Sequence, residues 1–221
     1  MSFIHAGADA ITTNSYSLVP SVLNVAGVGH HMRRYLEIAC CLADEARHEA
    51  GKPDIILAGA MPPLQASYRP DLVGSFEETF PVYERIAGIL NRHVDVFVCE
   101  TLSTVNEAKS AALAASKHDK PIWISWTLQD DKVLELLEPK LRSGEPLQDA
   151  IDAVLDIPNV AGLMVNCCST ESVDAAMPML VEAAEKKGIK AGAYANSFAA
   201  KLQTRDQHGA DDSNFGYRQV A

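Results

Sequence analysis

The chain has 221 residues, of which 48% are hydrophobic, 22% charged and 6% aromatic, a balance that suits a globular domain and excludes a fibrous or extended disordered chain. A formal net charge of -10 with no run of Lys or Arg leaves no surface suited to phosphate backbones or anionic lipid, so neither nucleic acid nor a membrane is an expected partner. No apolar stretch reaches the ~18 to 20 residues of a membrane helix, and MSFIHAGADAITTN lacks a basic region ahead of an apolar core, so a cytoplasmic location is expected.

In chain order, short apolar runs alternate with longer segments of three- and four-residue apolar spacing. Ala10–Asn14 reads as a strand, followed by a helical pattern in HMRRYLEIACCLADEARHEAG that Gly51 and Pro53 close. Further strands are expected at Ile55–Ala60, Val94–Cys99, Pro121–Thr127, Ala161–Asn166 and Lys190–Tyr194. Between them lie the helical stretches SFEETFPVYERIAGILNRH, TVNEAKSAALAASKHD, PLQDAIDAVLDIPN and ESVDAAMPMLVEAAEKKG, with N-caps at Ser75, Thr104 and Ser169. Successive β-α units require a parallel sheet, because each crossover returns the chain to the same sheet with one hand. No GxGxxG or GxxxxGK[ST] follows a strand, which disfavours a nucleotide-binding open sheet. Polar residues gather instead at strand C-terminal ends (Thr12-Thr13-Asn14, Glu100-Thr101, Asn166-Cys167-Cys168, Asn196-Ser197), where a (β/α) barrel keeps its chemistry. The expected organisation is a barrel domain over residues 1–200 and a polar tail over 201–221 that is loop or poorly ordered.

Five segments in order carry a resemblance: AGADAITTNSY, DVFVCETLSTVNEAKSA, PIWISWTLQD, AGLMVNCC and GAYANS. Together they resemble the homocysteine S-methyltransferase family over roughly residues 5 to 200. The resemblance implies an α/β fold of the (β/α)8 TIM-barrel type with about six of the eight β-α units. It also implies transfer of a methyl group from a sulfonium, betaine or folate donor to the zinc-bound thiolate of homocysteine, giving methionine. A free thiol has a pKa near 8.5, and zinc coordination deprotonates it. In the family three cysteine thiolates hold the zinc and leave the fourth position to substrate. By the resemblance Cys167 is the first of these ligands, whereas the Gly-Gly-Cys-Cys-Gly segment that bears the other two, and a first strand ending in Asp-Gly-Gly, have no counterpart in this sequence.

By the resemblance Glu100 would hold the substrate ammonium group, where the alternative is an exposed strand-end carboxylate; Thr13, Asn14, Asn166 and Asn196 are expected to line the pocket, although capping or turn formation alone would also account for these four. No residue is assigned as catalytic. Asn14, Glu100, Thr127, Asn166 and Asn196 should face one mouth. Met61-Pro62-Pro63 reads as a rigid turn on that face, His30, His31 and His48 as solvated surface groups, and Asp130-Asp131 as a solvated loop. Five cysteines, two adjacent pairs among them, suit reduced thiols, and no bridge from Cys40 or Cys41 to Cys167 is expected. Two other readings stay open. One is a non-catalytic remnant or interaction module without zinc; under either this or the enzyme reading, a homo-oligomer is an expected cover for the unpaired sheet edges. The other is a zinc-free lyase or aldolase, whose Schiff-base form is disfavoured because Lys120 and Lys190 precede strands rather than follow them.

Overall fold

Apolar runs that are buried on both faces can only be interior strands of a parallel sheet, and β2 (Ile56–Met61) shows this with every residue after Ile56 buried. The computed structural model describes residues 1–130 and 138–196. In chain order the remaining elements are α1 (Ser2–His5), β1 (Ala10–Thr12), α2 (Pro20–Val25), α3 (Met32–Glu49), α4 (Phe76–Leu90), β3 (Val96–Leu102), α5 (Val105–Ala115), β4 (Ile122–Trp126), α6 (Leu147–Val154), β5 (Val160–Cys168), α7 (Thr170–Lys187) and β6 (Lys190–Ala195). The strands pair in the order β1-β2-β3-β4-β5-β6, every pair parallel. Strands in sequential order, with crossovers between neighbours, curl the sheet into a sector of a barrel, the arrangement expected over an open sheet.

The main core lies between the convex face of the sheet and the helices, and includes Leu57, Phe97, Ile122, Ile124, Trp126 and Leu163. Helix α5 offers the sheet and its neighbour an almost all-alanine surface, with Ala108, Ala111, Ala112, Ala114 and Ala115 fully buried, so that α4 and α5 approach closely. On the concave face Ala58, Ala60, Val96 and Val98 form a second, smaller cluster against Trp123. The caps expected at Ser75, Thr104 and Ser169 all form: Ser75 makes a capping box with Glu78, and the side chains of Thr104 and Ser169 accept from the backbone N–H groups of Glu107 and Ser172.

Strand ends differ from the sequence expectation for a local reason. β3 continues past Cys99 to Leu102 and β5 past Asn166 to Cys168, because a register shift in each lets pairing resume one step further on. The shifts coincide with left-handed backbone at Thr101 (φ 61°) and Cys167 (φ 54°). β1 stops at Thr12, which leaves Thr13 and Asn14 beyond the strand. The polar tail over 201–221, together with Ser197 and Asp131, lies outside the described residues. Among the described residues no helix is long and apolar enough to cross a membrane.

Candidate active site at the barrel mouth

The two bulged strand ends meet at the C-terminal edge of the sheet, and Asn166 ties them together. Its buried Oδ1 accepts from the Thr101 N–H at 3.0 Å and from the Ser125 hydroxyl at 2.6 Å. Its Nδ2 donates to Thr101 Oγ1 and Tyr194 Oη, both at 2.8 Å, and lies 3.2 Å from Cys167 Sγ. Tyr194 Oη in turn donates to Glu100 Oε2 at 3.3 Å and lies 3.7 Å from Cys167 Sγ. Glu100, Asn166 and Cys167, expected from the sequence to share a mouth, are thus joined through one tyrosine hydroxyl.

The loop after β2 brings in Tyr68, whose hydroxyl contacts both Cys167 and Asn196. Tyr16, two residues past Asn14, shares a 2.7 Å hydrogen bond with Ser67 and contacts Thr101. Thr127 donates to the Cys167 carbonyl at 3.2 Å. Thr13 is buried beside the mouth, where its hydroxyl pairs with Ser15 and accepts from the Ala60 N–H, so it pins β1 to β2; Asn14 is exposed beyond it. Tyr16, Tyr68, Tyr194 and Ser125 were not singled out from the sequence. Tyr16 and Tyr194 sat within the matching segments, whereas a lone tyrosine in the β2–α4 loop carries no local signal.

Burial sets the protonation of the mouth. It raises the Glu100 carboxyl above its ordinary range, with the Tyr194 hydrogen bond pulling the other way. Burial likewise pushes Tyr16 up to about 12, and it raises Tyr68 and Tyr194, where the nearby Cys167 adds to the shift. All three phenols are therefore neutral donors at physiological pH. Behind the mouth Glu107 is 2% exposed and pushed up to about 7 by burial, although the backbone N–H groups of Ser103 and Leu64 favour its charged form. It borders a cavity of about 300 Å³ between α2, α4 and the β2–α4 loop.

One expectation is corrected. Asp130 is not a solvated loop residue: its side chain is 3% exposed, pairs with Arg142 at 2.6 Å and accepts from the Ser169 N–H at 2.7 Å. A carboxylate read as solvated from its Asp-Asp context is enclosed because β4 and β5 end side by side and the 138–146 turn folds over it.

The sequence pattern described as homocysteine S-methyltransferase matches residues 1–217. The chain belongs to this family. Homocysteine S-methyltransferase of Escherichia coli (strain K12) is 27% identical over 195 residues, which cover 81% of this chain and 60% of that protein. Homocysteine S-methyltransferase YbgG of Bacillus subtilis (strain 168) is 24% identical over 205 residues, 85% of this chain and 62% of the relative. The chain thus spans about three fifths of the length of these curated relatives. The metallated form of the Escherichia coli homocysteine methyltransferase MmuM superposes with a TM-score of 0.71 at 22% identity, over 89% of this chain and 78% of that one, and its oxidized form with a TM-score of 0.72. These two likenesses support the barrel-type fold.

A family zinc site needs three protein ligands. Among the described residues no three His, Cys, Asp or Glu side chains converge on one point. Cys168 is buried on the far side of the bulge from Cys167, with its thiol pushed up to about 11 by burial, and Cys40 and Cys41 lie on α3. All five cysteines are free thiols. The described residues therefore do not by themselves fit a zinc ion; they offer one thiol, that of Cys167.

Proposed function

We propose that this chain is a homocysteine-binding, methyl-transferring domain of its family, with homocysteine and a small methyl donor meeting at the mouth beside Cys167. Glu100 receives the substrate ammonium group, Asn14 and Asn196 contact the rest of the amino-acid moiety, and Asn166 with Tyr194 holds Glu100 and Cys167 in fixed relation. In the transfer the homocysteine sulfur forms a bond to the donor methyl carbon. The donor's bond from that carbon to sulfur or nitrogen breaks with its electron pair staying on the donor heteroatom, and the thiol proton passes to water before attack. Zinc is the metal of this chemistry in the family, where it lowers the thiol pKa; Cys167 is the residue this chain would contribute to it. The observation that carries the reading is the hydrogen-bonded convergence of Glu100, Asn166, Tyr194 and Cys167 on one face of a sheet belonging to this family.

Methionine formation from homocysteine, with a sulfonium, a betaine or a methylated folate as donor, tests it directly. With zinc supplied in excess, product should appear with one donor class, disappear in Cys167→Ala and persist within about twofold in Cys40→Ala. No product with any of the three donors would sink the proposal. Homocysteine binding without turnover would then favour the reading as a non-catalytic module.

A further inference from the structure

A buried ion pair flanks the mouth, and no step of the proposed transfer uses it. Arg142 Nη2 lies 2.6 Å from Asp130 Oδ2, with the two side chains only 10% and 3% exposed. Arg142 contacts Thr127, just past the end of β4, and Tyr68 of the β2–α4 loop. Its Nε donates to Thr127 Oγ1 at 3.4 Å, its N–H to the Thr127 carbonyl at 3.2 Å, and its guanidinium carbon stands 5.0 Å from the centre of the Tyr68 ring. Asp130 reaches the other way. Its Oδ1 accepts from the Ser169 N–H at 2.7 Å and from the Ser172 hydroxyl at 3.2 Å, at the start of α7.

Between these anchors sits Cys167 in left-handed backbone (φ 54°), a conformation that a residue with a Cβ holds only when its surroundings impose it. The Thr127 hydroxyl, itself steadied by Arg142, donates to the Cys167 carbonyl, and Asp130 fixes the backbone two residues later. The turn is held from both sides. We infer that Asp130 and Arg142 are positioning residues: the pair locks the left-handed turn at Cys167 and so aims its Sγ at the Asn166 amide and the Tyr68 and Tyr194 hydroxyls. Arginine rather than lysine is required, because one planar fork serves Asp130 and Thr127 while its face lies against Tyr68.

This inference rests on the reading of Cys167 as the thiol of the site, and its test is independent of turnover. In the wild-type chain Cys167 is partly buried among hydroxyls, whereas Cys41 on α3 is exposed, so Cys41 serves as an internal reference. Alkylation by iodoacetamide, followed by peptide mass analysis, gives the rate at each cysteine. Releasing the turn frees Sγ from its shelter, so Arg142→Met should alkylate Cys167 at least fivefold faster with Cys41 unchanged, and Arg142→Lys should fall between. Arg47→Met is the stability control: it breaks a partly buried ion pair with Asp95 at the opposite end of the sheet and should leave the Cys167 rate within twofold. Thr127→Val removes only the hydroxyl that reaches the Cys167 carbonyl and carries the same comparison where the Arg142 variants fail to fold; it too should speed Cys167. A Cys167 rate that is unchanged or lowered in the Arg142 and Thr127 variants, or raised equally in Arg47→Met, overturns the inference. If wild type forms no methionine, the proposed function fails while the alkylation comparison still decides the clamp.

Discussion

Asn166 shows how one buried amide organises a site. Its two acceptor contacts and three donor contacts exceed what two N–H bonds can serve one at a time, so Nδ2 is shared among Thr101, Tyr194 and Cys167. Removing it leaves the Thr101 N–H and the Ser125 hydroxyl without their buried acceptor, and each orphaned group costs about 1 to 3 kcal/mol. Asn166→Ala is therefore expected to lower stability by about 3 kcal/mol, read as a shift in urea midpoint at constant slope. A loss under about 1 kcal/mol would mean that water replaces the amide. Glu100 plays the complementary part: it is the carboxylate that joins this cluster, and Tyr194 is the hydroxyl that holds it. Glu100→Gln should weaken homocysteine binding by about tenfold or more, as loss of a charge-assisted contact does, with little change in thermal stability. Titration calorimetry decides this, and unchanged affinity would remove Glu100 from the substrate site.

At the scale of elements, the β3–α5 connection is held by Glu107, the carboxylate at the start of α5 that receives the Ser103 N–H and supports Leu64 of the β2–α4 loop. Burial raises its folded-state value to about 7 from an ordinary 4.5. A carboxyl raised on folding binds its proton more tightly in the native state. Its contribution is therefore fully present below about pH 4.5 and is lost as pH climbs through about 7. From that shift the loss amounts to about 3 kcal/mol. Glu107→Gln has no such titration, so the difference in unfolding free energy between wild type and variant should change across this window, with wild type losing ground at the upper end. Parallel pH profiles of the two proteins would show that Glu107 keeps an ordinary pKa. The same element argument explains why β3 and β5 outran their sequence boundaries. Hydrophobic alternation ends where a bulge begins, and Thr101 and Cys167 carry no glycine to announce a left-handed turn.

At the scale of the whole molecule the prediction concerns metal. Among the described residues one thiol and one carboxylate at the mouth do not make a three-ligand cage, so the 221-residue chain is expected to retain zinc well below one equivalent after dialysis against a weak chelator. Stoichiometric zinc by elemental analysis would show that further ligands close around Cys167. The alternation of apolar runs with 3.6-period segments determined the parallel sheet, because each crossover returns the chain to the same sheet with one hand, and the polar strand ends chose the barrel over an open sheet. The polar strand ends likewise pointed to Glu100, Asn166 and Cys167, since in a parallel barrel sheet all C-terminal ends open on one mouth. What the sequence alone could not decide was which residues would be enclosed with them. Tyr68 comes from a loop about a hundred residues before Cys167. Asp130 looks solvated beside Asp131 and becomes buried only when Arg142 and the start of α7 close over it. Burial and pairing of that kind are set by contacts between distant segments, and no local pattern of residues records them.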